Sequence, residues 1–148
     1  MVQRFVLTRT LKTRHLFSVW RCRLTTAFES VREFHQTYGQ PVGDRPGFLD
    51  NERMSLRKKL IEEEYDEFLE AVEDGDLVNA FKELADLIYV VNGVAVEMGG
   101  NLDDVFKEVH RSNMSKLGSD GKPIYRQDGK VLKGPNYTEA DIKSVLGL

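Results

Sequence analysis

The chain has a single cysteine, Cys22, in 148 residues. An internal disulfide is therefore impossible, a cysteine-based zinc site is excluded, and a reducing compartment is expected. No apolar run reaches the roughly 18 to 20 residues needed to cross a bilayer. The longest candidate, Leu84 to Met98, is interrupted by Asp86, Asn92 and Glu97, so no membrane partner is expected. Positive charge is scarce where acid is dense: Leu60 to His110 holds fifteen Asp/Glu against two Lys/Arg, Lys82 and Lys107. Such a potential repels a phosphate backbone unless cations intervene, which argues against nucleic acid as a partner. Repeats and low-complexity tracts are also missing. With 41% apolar and 30% charged residues, the composition is that of one soluble globular domain, expected in the cytoplasm.

Charge divides the chain. Met1 to Phe28 carries six Lys/Arg and no acid, whereas Glu29 to Leu148 carries 24 acids and 15 bases. Residues 1–25 have the Arg-rich, acid-poor make-up of an organelle transit peptide, which would send the protein to a mitochondrion or another organelle. A short basic extension fits them as well, and Trp20 and Cys22 within them carry no assignable role. Residues 26–148 form the expected folded domain. Thr26-Ala-Phe-Glu29 reads as a capping box opening a first helix with apolar Phe28, Val31, Phe34 and Tyr38. A loop rich in Gly and Pro follows over Gly39 to Leu49. The pattern predicts a second helix from Asp50 or Asn51 to about Asp74, a third capped by Asp76 and ending at Gly99-Gly100, and a fourth from Leu102 to about Lys116. Beyond it, Ile124 to Arg126 and Lys130 to Leu132 predict a short hairpin around Asp128-Gly129, a basic flap. Thr138-Glu-Ala-Asp141 reads as the cap of a terminal helix. The fold class is all-α, a four-helix bundle with a C-terminal flap.

The chemistry lies in carboxylates on apolar faces. At 100° per residue, Leu56, Leu60, Ile61, Phe68, Ala71 and Val72 of the second helix form an apolar face, with Glu62, Asp66, Glu70 and Glu73 opposite. Glu64 falls near the middle of the apolar face, Glu67 beside it one turn on, and Glu63 at its boundary. On the third helix, apolar nearly all round, Glu83, Asp86 and Glu97 share one stripe. Glu64/Glu67 and Glu83/Asp86 each have the i,i+3 spacing that puts two carboxylates on one side of a helix. On antiparallel neighbours they would make a four-carboxylate cage. Burying such charge unpaired costs several kcal/mol, and no Lys/Arg stripe is at hand to offset it. An all-oxygen site suits Mg2+, with Mn2+ an alternative. A di-iron bundle fails, because Lys12, Arg32 and Lys107 stand three before the histidines where Glu is required. An EF-hand fails because Asp74-Gly75-Asp76 lacks the loop spacing.

Glu63-Glu64-Tyr-Asp-Glu67 followed by Glu83-Leu-Ala-Asp86-Leu-Ile-Tyr resembles the paired signature of the all-alpha nucleoside triphosphate pyrophosphohydrolases. That group takes in MazG-like proteins, dimeric dUTPases, dCTP pyrophosphatases and phosphoribosyl-ATP pyrophosphohydrolase. The resemblance spans about Phe28 to Lys116, and His110 to Lys116 is similar to the closing motif of the MazG-like branch. It implies hydrolysis between the α and β phosphates of a (deoxy)nucleoside triphosphate, with Mg2+ held by Glu64, Glu67, Glu83 and Asp86 and with Glu63 orienting or deprotonating the water. Hydrolysis of phosphoribosyl-ATP is the narrower alternative, from which the closing motif and flap depart. A non-catalytic helical module binding metal or nucleotide is the alternative from another class.

Asn113 and Lys116, three apart at the end of the fourth helix, are candidates for reading a base or sugar and for meeting a phosphate; Lys116 also suits a helix C-terminus as a dipole-favoured cation. Lys122, Arg126, Lys130 and Lys133 of the flap make a candidate phosphate-gripping lid, with Lys130 and Lys133 as its binding residues. Tyr89 and Asn92, a turn apart, are either nucleotide contacts or core. A bundle this small cannot cover so much apolar face alone, so a homodimer or a dimer of dimers is expected.

Overall fold

A computed structural model describes residues 25–148, leaving the basic extension, and the expectation of a transit peptide there, outside the described residues. The chain forms α1 (Ala27–Thr37), α2 (Asn51–Glu73), α3 (Leu77–Glu97), α4 (Leu102–Met114) and α5 (Ile142–Leu146). Each long helix starts where a side chain satisfies its first free amides. Thr26 and Glu29 complete a reciprocal capping box, Asp50 accepts from Arg53 N at 2.8 Å, Asp76 from Asn79 N at 2.9 Å, and Asn101 from Asp103 N at 3.0 Å. Gly75, at φ +71°, turns the chain between α2 and α3 in a left-handed conformation that costs other residues a clash at Cβ.

That tight turn makes α2 and α3 an antiparallel hairpin, the central unit of the fold. α1 lies across α3, where Phe28, Val31 and Val96 are buried together with Val42, Ala95 and Leu102 against them. The loop between α1 and α2 closes the far end of α3: Gly43 N donates to Val96 O at 2.9 Å and Gly47 N to Met98 O at 3.0 Å. Carbonyls that the helix itself leaves unpaired are satisfied this way.

The flap is a hairpin of minimal length. Tyr125 and Val131 form one antiparallel bridge, flanked by Arg126 N to Lys130 O and Leu132 N to Ile124 O, both 2.8 Å. The terminal helix begins three residues later than its sequence suggests, with Asp141 as cap. Thr138 is engaged elsewhere: its hydroxyl accepts from Arg111 at 2.6 Å and its carbonyl from the Ser112 hydroxyl at 2.8 Å. α4 also stops early, at Met114, so Lys116 sits in the following turn and does not share a helix face with Asn113.

Among the described residues no helix is long and apolar enough to cross a membrane. Only Phe28, Val31, Ala71, Ala80 and Val96 are buried apolar residues there, while Leu77, Phe81, Leu84, Ile88 and Val91 of α3 lie exposed. Their spacing alternates four and three, which lines them up along one side of the helix. Tyr65, Leu69 and Val72 of α2 are exposed too.

Candidate active site

Carboxylates of Glu64, Glu83 and Asp86 converge where α2 and α3 run side by side, each offering an oxygen within 4.8 Å of the others. Glu83 is buried at 2% exposure, and Glu64 and Asp86 are half-buried. Burial pushes the Glu64 carboxyl above its ordinary range, and the negative charges of Asp86, Glu67 and Glu83 push it the same way. A group in that position needs a positive neighbour to ionise freely. The donors are all hard oxygens, the set that suits a small divalent cation such as Mg2+.

Glu67 is not in this set of three. It lies exposed one turn along α2, because an i,i+3 step leaves about 60° of rotation between the two side chains. It still contributes through its charge on Glu64. Glu63 is exposed beside Glu64.

A lysine does reach the acids, against the expectation from composition. Lys82 Nζ stands 2.9 Å from Glu83 Oε2 and 2.9 Å from Asp86 Oδ2, and these contacts hold the ammonium well above its usual range. The i,i+4 spacing of Lys82 and Asp86 was the available signal. The Lys82 side chain is 58% exposed, so its ammonium can swing away into solvent.

Glu97 belongs elsewhere. Although it shares a helix stripe with Glu83 and Asp86, its fully buried carboxylate pairs with Arg53 and Arg57 of α2. Burial alone would raise this carboxyl; the hydrogen bonds from Arg53 and Arg57 outweigh it and lower it to about 2. Arg57 also reaches His35 Nε2 at 3.2 Å, while His35 Nδ1 lies 2.7 Å from Pro41 O. A carbonyl only accepts, so Nδ1 carries the proton and Nε2 accepts from Arg57. Gly93 permits the arrangement, since a Cβ there would stand 2.9 Å from Arg57 Nη1. No spacing in one helix foretells this cluster, because its members come from α1, α2 and α3.

Of the remaining candidates, Asn113 and Lys130 are exposed and Lys116 is half-buried. The flap's basic residues are partly neutralised from within. Arg126 pairs with Asp128 at 2.5 Å, and Lys133 lies 3.5 Å from Glu139 and 4.1 Å from the centre of the Tyr137 ring. Asn92 is buried, its amide donating to Ile88 O at 2.8 Å. Tyr89 is partly exposed and meets Phe34 edge-on.

The family described as phosphoribosyl-ATP pyrophosphohydrolase matches residues 31–113, a span that holds all three converging carboxylates and ends before Lys116 and the flap. An uncharacterized protein of Acanthamoeba polyphaga mimivirus is 30% identical over 127 residues, 82% of this chain. The chain spans about half the length of that relative, 48%. Among solved structures, a protein of Exiguobacterium sp. 255-15 provisionally named an NTP pyrophosphohydrolase is 27% identical, with 80% of this chain and 91% of that one covered and a TM-score of 0.39.

Proposed function

Because the chain belongs to the phosphoribosyl-ATP pyrophosphohydrolase family, we propose that it is a Mg2+-dependent pyrophosphohydrolase. It cleaves a (deoxy)nucleoside triphosphate between the α and β phosphates, releasing the monophosphate and pyrophosphate. The observation that carries this reading is the convergence of Glu64, Glu83 and Asp86 in one groove. Glu67 joins them at its outer edge. When bound there, Mg2+ supplies positive charge for phosphate oxygens and lowers the pKa of a coordinated water. Lys82 holds the two α3 acids together in the absence of substrate and gives way as the site fills. Glu63, one residue from the cluster and open to solvent, orients the attacking water and takes its proton. The water oxygen bonds to phosphorus as the bridging P–O bond breaks, and the electron pair leaves with pyrophosphate.

Asn113 and Lys116 approach the substrate from the end of α4, and Lys130 and Lys133 of the flap close on its phosphates. For Lys133 this means leaving Glu139 and Tyr137. The exposed apolar stripe of α3, with its counterpart on α2, supports a homodimer in which two hairpins pack face to face. A second reading, hydrolysis of phosphoribosyl-ATP, is favoured by the family that matches; it requires the same bond cleavage on a larger nucleotide.

The test is pyrophosphate release, scored apart from orthophosphate, from a panel of NTPs, dNTPs and phosphoribosyl-ATP, with and without Mg2+. Release that needs Mg2+ and disappears in Glu64→Gln is the expected result, and the panel names the substrate. Metal-dependent stabilisation with no product from any member would turn the assignment to a binding module.

A further inference from the structure

Arg111, Ser112 and Ser115 lie among the candidates Asn113 and Lys116 at the end of α4, and the proposed reaction gives them no part. All three turn to the tail that follows the flap. Arg111 donates to the Thr138 hydroxyl at 2.6 Å and to Glu139 O at 2.8 Å. Ser112, 4% exposed, donates to Thr138 O at 2.8 Å, and Ser115 Oγ accepts from Thr138 N at 2.9 Å. Glu108, which holds Arg111 through both oxygens, also accepts from Asp141 N at 2.8 Å. Bonds with an ionised partner are stronger than neutral ones, so the tail is firmly stapled to α4.

A second closure lies nearer the flap. Gly134 N donates to Lys116 O at 3.0 Å, and Tyr137 N to Gly134 O at 3.1 Å. The two segments pass so closely that a Cβ on Gly134 would stand 2.1 Å from Leu117 O and 2.8 Å from Lys116 O. Both are backbone atoms, so no side chain can turn aside to make room. Gly134 is not among the glycines of positive φ, so contact, not backbone angle, excludes a larger residue.

Leu117 to Lys133 is thus a loop joined at its ends by backbone and then fastened to α4. Little else holds it. Every residue from Gly121 to Lys133 is exposed, and one antiparallel bridge, Tyr125 to Val131, is its strand pairing. A hairpin of that size is at best marginally stable alone, so its position is set at the base. There Lys116 and Lys133 leave the backbone on either side of one contact. The Lys133 ammonium rests 4.1 Å from the centre of the Tyr137 ring, whose hydroxyl lies 3.4 Å from Ser112 Oγ.

We propose, resting on the reading of the chain as a nucleotide hydrolase, that Arg111, Ser112, Ser115 and Gly134 are positioning residues: they clasp the base of the flap and present Lys116 and Lys133 together as one grip for the substrate's phosphates. Two ammonium groups held at adjoining points bind a polyanion better than two free ones, because less freedom is lost when it arrives. Closure is then a movement of side chains at the base, not of the base itself.

Binding of inorganic tripolyphosphate to the full chain in Mg2+ is measured by calorimetry for wild type, Gly134→Ala, Lys133→Ala and the double variant. Gly134→Ala is expected to weaken binding roughly tenfold, the scale of one charged contact, and to raise KM for the triphosphate by the same factor. Lys133→Ala does likewise, and the double variant is little worse than either, because both changes remove one grip. Thermal unfolding shows whether Gly134→Ala keeps the fold. If it does not, Ser115→Ala carries the same expectation in smaller measure, and Ser115→Thr, which restores the hydroxyl, restores binding. Full affinity in the folded clasp variants, additive effects in the double variant, or a wild type that binds no tripolyphosphate overturns the clasp. Triphosphate hydrolysis by a wild type whose clasp variants keep full affinity sinks the clasp alone. Weakened tripolyphosphate binding in those variants, with no hydrolysis by the wild type, leaves the clasp standing and sinks the hydrolase.

Discussion

Replacing Glu97 by glutamine takes the negative charge from between α2 and α3 and leaves the guanidiniums of Arg53 and Arg57, both on α2, without their counter-charge. Arg53 is 27% exposed and can turn to water, but Arg57, at 8%, cannot. Breaking a buried pair by removing one partner costs about 3–5 kcal/mol, because the remaining charge stays desolvated. The pH dependence gives a second measure. The Glu97 carboxyl falls from 4.5 in the unfolded chain to about 2 in the folded one. Its contribution is thus fully present above pH 4.5 and is lost as the pH falls toward 2, and about 1.4 kcal/mol per unit makes it roughly 3 kcal/mol. The two values agree in scale, and for a domain of this size they correspond to a fall in Tm on the order of 10 °C. Thermal unfolding of wild type and Glu97→Gln at pH 7, at one fixed protein concentration, is the assay, followed by the same pair across the acid range. The wild type should lose its advantage between pH 4.5 and 2, whereas the glutamine variant should show a flatter profile there. Arg53→Gln should cost clearly less than Glu97→Gln. Equal melting temperatures for wild type and Glu97→Gln, or parallel acid profiles, would refute the reasoning.

Lys82→Met removes the ammonium that lies on Glu83 and Asp86, so Mg2+ should bind a few-fold more tightly in a calorimetric titration, the gain being small because the lysine is exposed and screened; weaker binding would mean that the lysine supports the metal site. Ile88→Lys places a charge in the middle of the α3 stripe, and light scattering should then report the mass of one chain, 16.9 kDa, where the proposed homodimer of the wild type has twice that mass. An unchanged dimer mass would move the contact to another face.

Helix placement was legible because its causes are local. Thr26, Asp50, Asp76 and Asn101 each precede an apolar pattern, and each proved to be a cap. Thr138 misled because its oxygens are taken by residues of α4, more than twenty positions away. For the acids, spacing brought out Glu64, Glu83 and Asp86, since helical periodicity puts them on the inward faces of adjoining helices. It could not separate Glu67, which the last 60° of rotation carries outward, or Glu97, which lies on the same stripe.

The sequence by itself determined what depends on near neighbours: four long helices, their ends, the hairpin turn at Gly75, and acids on apolar faces. Tertiary structure alone decided which charges meet. Arg53 and Arg57 stand forty or more residues from Glu97, and Phe34 more than fifty from Tyr89, and only the packing of α1 and α2 on α3 brings them into contact. A charge inside a protein is governed by whatever fills the few ångströms around it, and those neighbours are set by the fold, not by the order of the chain.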